Sequence, residues 1–179
     1  MTETTPTLAP TTARVAALVV GLGAPDRGDD AVGLVVARDV EDLALPGVET
    51  LVHEDPTDLI ELWSGRGVAV VVDALRSGEP PGTVQVLETG AGGEHVTESL
   101  LAHPGWGGTH ALGLAAAVEL ARALKRLPER VVVVGVEAAC FDHGAPLSPR
   151  VAGAVPQAVA AVVEALGAPR REVSCHVPR

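Results

Sequence analysis

Asp29-Asp30, Asp73 and His110 are the residues in this chain whose types and positions could do chemistry. Asp29 and Asp30 follow an apolar run and a glycine turn, Val15-Ala-Ala-Leu-Val-Val-Gly21-Leu-Gly23-Ala-Pro-Asp26-Arg-Gly28-Asp29-Asp30. Glycines at a strand-to-helix turn often cradle phosphate, but that loop needs Lys and Ser/Thr where Asp29 and Asp30 stand. The dinucleotide fingerprint fails as well, because Asp26 occupies the place of its third glycine. Three carboxylates beside a helix N-terminus repel phosphate and suit a cation. Asp73 ends an all-apolar run, and His110 opens a helical pattern after a glycine-rich loop. Two carboxylates and one imidazole make a site for a divalent first-row metal, with positions left open for a substrate.

Each of these residues also has a plainer reading. One acid of the Asp29-Asp30 pair suits a helix N-cap. Asp73 suits a turn residue just past a strand, and His110 a satisfied polar residue at a helix start. Glu137 is a second candidate acid, or equally a surface acid at a strand end. Asp142 and His143, beside Phe141, are either cleft-lining or simply solvated loop residues. Cys175-His176 has the look of a metal pair but lacks a second pair. His53, His95 and His103 have no partner that spacing supplies. No Gly-x-Ser-x-Gly or His-Glu-x-x-His is present to mark a nucleophile or a zinc helix.

The elements that must position these residues alternate. Arg14–Val20 reads as a first buried strand, and Asp29 or Asp30 opens a helix that continues over Ala31–Leu43. Val48–His53 is a short second strand. Asp55 caps a helix with Pro56 at its first position, stopping at Ser64-Gly65. Val68–Val72 is an apolar third strand ending at Asp73. Thr83–Leu87 is a fourth strand, too close to Asp73 in sequence for a helical crossover and therefore antiparallel. Residues 88–109 form a long loop with two glycine clusters. Thr109-His110 opens a helix to about Leu127, and Val131–Val136 is another buried strand. Ser148-Pro149 opens a final helix to Leu166, in which Pro156 predicts a kink or a break.

Strands alternating with helices imply an α/β fold: one domain, a three-layer sandwich with a mixed, mostly parallel central sheet of about five strands and helices on both faces. The first and third strands lie side by side in a flavodoxin-like order, so Asp30 and Asp73 meet at the carboxyl edge, where such sheets bind ligands. The domain spans 14–168, after a Thr/Pro-rich lead at 1–13 that reads as disordered and before a flexible tail at 169–179. A core built without Tyr, and with two Trp and one Phe, must be Val, Leu and Ala, as in a buried parallel sheet.

A net charge of −10 argues against nucleic acid and against an anionic membrane surface. No apolar stretch is read as reaching transmembrane length, and the lead lacks the basic start of a signal peptide. Two cysteines make no disulfide framework. The expectation is a cytoplasmic protein.

Together, Gly21-Leu-Gly23…Gly28-Asp29-Asp30-Ala-Val-Gly33, Val71-Val72-Asp73-Ala74, Thr109-His110-Ala-Leu-Gly113-Leu and Val134-Gly135-Val-Glu137 resemble the hydrogenase maturation endopeptidases. The likeness runs from about Ala16 to Leu166. It departs from the family pattern at Ala24, where Asn is usual, at Ala31, where Gly is common, and at Ala138, where Pro is frequent. The resemblance implies an endopeptidase that removes a C-terminal extension from a [NiFe]-hydrogenase large-subunit precursor after nickel insertion. It assigns the metal-contacting and catalytic roles to Asp30, Asp73 and His110. The metal it implies is nickel carried by the substrate; a buffer cation in such a site would be a surrogate. A metal could polarise the scissile carbonyl or supply a low-pKa water, or Asp30 or Asp73 could act as general base; the sequence leaves this open. Two other readings stand beside it. One is a non-catalytic, metal-dependent chaperone or checkpoint protein that binds the precursor uncut. The other is a nucleotide- or flavin-binding α/β protein, resting on fold analogy alone.

Overall fold

The structure is a computed structural model that describes residues 17–90 and 109–167, with the backbone alone over 109–112. Five strands form one sheet: β1 (Ala17–Leu22), β2 (Val48–His53), β3 (Val68–Leu75), β4 (Val84–Thr89) and β5 (Arg130–Glu137). Their order is β2-β1-β3-β5-β4. β1 runs parallel to β2 and β3, and β3 parallel to β5, while β4 is antiparallel to β5. The helices are α1 (Val32–Asp42), α2 (Leu59–Leu62), α3 (Thr109–Ala123) and α4 (Pro149–Gly167). The α/β sandwich, the mixed sheet of five strands and the antiparallel edge strand agree with the sequence. The lead at 1–13 and the tail at 169–179 lie outside the described residues.

β1, β3 and β5 are central and covered on both faces, which explains their unbroken apolar runs. Alternate residues of each strand serve different layers. Leu18, Val20, Ala69, Val71, Leu75, Val131 and Val133 pack with Leu59 and Trp63 at α2 and with Leu114, Val118 and Ala121 of α3. Val19, Val70, Val72, Val132, Val134 and Val136 pack with Val36 and Val40 of α1 and with Val151, Val155, Ala158 and Val162 of α4. On the amino side of the sheet, Arg130 donates from Nε and Nη2 to both carboxylate oxygens of Glu88, at 2.8 and 3.0 Å, tying β5 to the edge strand β4.

The glycine motif is built for close packing. A Cβ on Gly33, in the first turn of α1, would lie 2.3 Å from the Leu22 carbonyl oxygen and 2.5 Å from that of Val72. The helix start is therefore pressed onto the ends of β1 and β3. Gly23 has φ +135, and a Cβ there would lie 1.8 Å from the Asp30 carbonyl oxygen. Only glycine lets the chain leave β1 and pass this close to the turn that carries Asp30.

Several boundaries differ from the sequence reading. Asp29 and Asp30 open no α-helix: Gly28–Ala31 is a 3-10 turn, α1 starts at Val32, and neither start has a side-chain cap. The Asp55 cap is as read, accepting from the Thr57 N–H at 2.8 Å. Its helix, however, splits into a 3-10 turn over Pro56–Asp58 and the single turn of α2. β3 does not stop at Asp73 but continues to Leu75, since β5 goes on pairing with it.

Pro156 lies inside a continuous α4. It is solvent-exposed, so the carbonyl it leaves without an N–H partner can be hydrated. By length and mean hydropathy, 1.2, this helix could cross a membrane, which corrects the expectation that no stretch reaches that size. Its Val151, Ala154, Val155, Ala158, Val162 and Ala165 recur at helical spacing and face the core.

Candidate functional site

Five strands with four aligned in parallel give the sheet a carboxyl edge, and four stretches of the chain at that edge carry the candidate residues. The β1–α1 connection carries Asp26 to Ala31. β3 and the turn after it carry Asp73 to Gly78. β5 and the loop after it carry Glu137 to Ser148. The start of α3 carries His110. Four acids here are buried: Asp29 at 0% exposure, Asp30 at 3%, Asp73 at 2% and Glu137 at 2%. A charge costs several kcal/mol to bury unless it is paired or hydrogen-bonded, so each must have a structural or chemical reason.

Asp29 has a structural one. Its Oδ2 accepts from the main-chain N–H groups of Ala139 (2.8 Å) and Cys140 (3.0 Å). Its Oδ1 accepts from the N–H of Ser148 (2.6 Å), immediately before α4. Its own N–H donates to the Cys140 carbonyl at 2.9 Å. Burial pushes the Asp29 carboxyl up, but the N–H groups of Ser148, Ala139 and Cys140 outweigh it and hold the carboxyl below its ordinary value. Asp29 therefore fastens the β1–α1 turn to the β5–α4 loop and is not a helix cap.

Glu137 is a second fastener, not the surface acid its position at a strand end suggested. Its Oε2 accepts from the Ser77 N–H at 2.9 Å and from Ser77 Oγ at 2.5 Å, and its Oε1 from the Gly78 N–H at 2.9 Å. Gln85 of β4 donates from Nε2 to Ser77 Oγ at 2.9 Å. The turn after β3 is thus held by the end of β5.

Asp30 and Asp73 are arranged differently. Asp30 Oδ2 accepts from the Ala24 N–H at 3.0 Å and lies 3.8 Å from Arg27 Nη1. Because the donor is main chain, alanine at 24 supplies this bond as well as asparagine would. Asp73 Oδ1 accepts from the N–H of Ala74 at 2.8 Å. Asp73 sits in the ladder opposite Gly135. By strand alternation it belongs to the same face as Val71 and Leu75, the face that α3 covers.

α3 begins at this edge. A Cβ on Gly113 would meet Pro56 Cγ at 2.8 Å, so the first turns of α3 lie against the segment that follows the carboxyl end of β2. His110 is the second residue of α3, which puts its backbone at the carboxyl edge of the sheet, on the side of β2 and Pro56. Its side chain lies outside the described residues. Among the described residues no group of three His, Cys, Asp or Glu side chains could hold a metal.

The other candidates are spread out. His53 Nδ1 lies 3.1 Å from Asp58 Oδ2, a surface pair. Asp142 and His143 are exposed loop residues, in keeping with the solvated reading. His95, His103 and Cys175-His176 lie outside the described residues. One feature with no sequence signal adjoins Asp30: the guanidinium carbons of Arg27 and Arg76 lie 5.7 and 5.0 Å from the Phe141 ring centroid.

The hydrogenase maturation protease family matches residues 55–165, a stretch that includes Asp73 and His110 but not the glycine loop with Asp30. Three solved structures are similar over most of their length. An endopeptidase from Escherichia coli, solved in solution, is 25% identical with a TM-score of 0.71, over 84% of this chain and 91% of that one. The [NiFe] hydrogenase maturation protease HybD from Thermococcus kodakarensis is 27% identical with a TM-score of 0.62, over 83% and 97%. The hydrogenase maturating endopeptidase HybD from E. coli, at 24% identity and a TM-score of 0.69 over 84% and 91%, agrees in fold. No curated protein matches the chain. The family match spans more than half of the sequence, and the chain belongs to the hydrogenase maturation protease family, a family of peptide-bond hydrolases.

Proposed function

We propose that this protein is an endopeptidase that removes the C-terminal extension of a [NiFe]-hydrogenase large-subunit precursor once nickel has been inserted, acting in the cytoplasm. Asp30, Asp73 and His110 receive the nickel that the precursor carries. The observation that carries this reading is the burial of Asp30 and Asp73 at the carboxyl edge of the sheet, the edge from which α3 also starts, with Gly113 against Pro56 beyond the end of β2. Carboxylate oxygens and an imidazole nitrogen suit a divalent first-row ion. Membership of the protease family supports the hydrolytic part of the reading.

In this reading the metal is part of the substrate, so a precursor without nickel lacks the group that docks. Hydrolysis adds a water oxygen to the scissile carbonyl carbon, breaks the C–N bond and delivers a proton to the leaving amine. Two routes fit the donor set. Nickel, once docked, polarises the carbonyl or lowers the pKa of a water, or one of the two aspartates takes the water proton as general base.

The test is intact-mass spectrometry of a cognate large-subunit precursor, with and without nickel, after incubation with this protein and with its Asp30→Ala and His110→Ala forms. The expected result is loss of one defined C-terminal peptide, from the loaded precursor and with the parent protein only. Equal cleavage of nickel-free precursor overturns the docking role. An unchanged mass together with a stable complex replaces the peptidase by a checkpoint protein.

A further inference from the structure

Building on the reading just proposed, we infer that Arg27 and Arg76, gathered on Phe141, form a carboxylate-binding site at the rim of the Asp30–Asp73 edge, which receives an acidic group of the polypeptide being cut. Arg27 joins the two places: its Nη1 is 3.8 Å from Asp30 Oδ2 and its guanidinium is 5.7 Å from the Phe141 ring centroid. Arg76 directly follows β3, three positions after Asp73, and its guanidinium is 5.0 Å from the same centroid.

The charge pattern points to an anion. The chain carries 23 acids against 13 Lys and Arg, yet two arginines converge here on one aromatic ring. Both guanidinium groups bring positive charge within 5.7 Å of one ring centroid, and the ring quadrupole offsets only part of that concentrated charge. Arg27 has Asp30 beside it. Arg76 is exposed, and its contact among the described residues is the ring. A carboxylate approaching the pair offsets that charge and meets the planar donor fork of arginine, which matches its two oxygens.

The site is also held in shape. Asp29 fixes the N–H groups of Ala139 and Cys140, just ahead of Phe141. Glu137 fixes the N–H groups of Ser77 and Gly78, just after Arg76. Two buried carboxylates that the metal-docking reading does not use thus set the loops carrying the two arginines and the ring. Phe141 is a positioning residue in this arrangement, and Arg27 and Arg76 are the binding groups.

The carboxylate can be an Asp or Glu side chain near the scissile bond or the terminal carboxylate of the extension. The experiment measures binding and cleavage of the cognate nickel-loaded precursor by the parent protein and by Arg76→Glu, Phe141→Leu, Phe141→Tyr and Arg38→Glu. The last reverses an exposed arginine on α1 as a control. Thermal melts verify folding. Arg76→Glu is expected to weaken binding and raise KM about tenfold, with the loss shrinking at high salt. Phe141→Leu raises KM about threefold and Phe141→Tyr does not, because tyrosine keeps the aromatic face. Precursors with each acid of the C-terminal segment neutralised in turn identify a side-chain source, since the matching one loses binding to the parent but not to Arg76→Glu. A precursor with an amidated C-terminus tests the terminal source in the same way.

Binding by Arg76→Glu within twofold of the parent, or a loss no larger than that of Arg38→Glu, overturns the inference. The two readings fail separately. A parent that binds the precursor and cuts nothing removes the peptidase, while the binding arm still decides the rim. A parent that cuts normally alongside an unaffected Arg76→Glu removes the rim alone. A parent that does not bind the precursor removes both.

Discussion

Asp29 and Asp30 are neighbours in sequence, identical in type and almost equally buried, yet they belong to different parts of the molecule. Asp29 turns toward the β5–α4 loop and accepts three main-chain N–H groups from it. Asp30 turns toward the glycine loop, where Ala24 donates to it and Arg27 stands near. Glu137 and Asp73 repeat the contrast on the adjoining strands. Glu137 fastens the turn after β3, while Asp73 accepts from its own next residue and faces the side of the sheet that α3 covers. An acid whose oxygens are spent on distant main-chain donors is a joint between loops. Asp30 and Asp73 are the acids to which the proposed chemistry is assigned.

Stability and activity should therefore separate between the pairs. The largest effect expected is on cleavage. Asp30→Ala, Asp73→Ala and His110→Ala each reduce turnover of nickel-loaded precursor by about a thousandfold or more, by analogy with the loss of a group acting in the transition state. Their unfolding free energies in urea should change far less than that of Asp29→Ala. An Asp73→Ala protein that cuts normally would break the comparison on the chemical side.

Next in size is Asp29→Ala. It strands three main-chain donors at a buried joint and should cost about 3 kcal/mol or more of stability. The folded fraction should still cleave precursor, so activity normalised to folded protein is the quantity to compare. A stable Asp29→Ala with abolished cleavage would move Asp29 to the other side of the comparison.

The pH dependence sharpens the same point. The folded carboxyl of Asp29 is held below its ordinary value of 3.8. Between the folded and the ordinary value the unfolded chain binds more protons, so stability rises with pH there. The Asp29 contribution is complete above about pH 4 to 5 and is lost as pH falls through the folded value. Urea melts from pH 6 down to pH 3 should show this acid-side loss in the parent and a shallower one in Asp29→Asn.

Smaller still is Glu137→Gln, which turns one acceptor into a donor facing main-chain donors and should cost about 1 to 3 kcal/mol. It should also loosen the turn that holds Arg76 and raise KM modestly, whereas a change in kcat alone would argue against a fastening role. The smallest effect expected is from Ala24→Asn. The bond to Asp30 comes from the main chain, so stability should stay within about 0.5 kcal/mol and cleavage within twofold.

Much of this was legible in sequence. Unbroken runs such as Val68–Val72 and Val131–Val136 mark strands covered on both faces. Asp55-Pro56 and Ser148-Pro149 mark helix starts, and the shortness of the Asp73–Thr83 link dictates an antiparallel edge. The same rules misjudge the ends. β3 passes Asp73 because a partner strand continues beside it, and Pro156 lies on the exposed face of a continuous α4. Glu137 reads from sequence as either a candidate acid or a surface acid, because its donors, Ser77 and Gly78, are 60 and 59 residues away.

The sequence alone determined the alternation of strands and helices, an acidic glycine loop that lacks the Lys and Ser/Thr of a phosphate site, and the placing of Asp30 and Asp73 at one edge of the sheet. These follow from periodicity, local turn chemistry and the handedness of crossovers, all properties of short stretches of chain. Only the tertiary structure decided which acid of the Asp29-Asp30 pair is a joint, that Glu137 is another, and that Arg27 and Arg76 share one ring. The Asp29 partners lie 110 to 119 residues along the chain. No local pattern encodes which distant N–H groups a buried carboxylate will meet, because that is settled when the sheet brings its loops together.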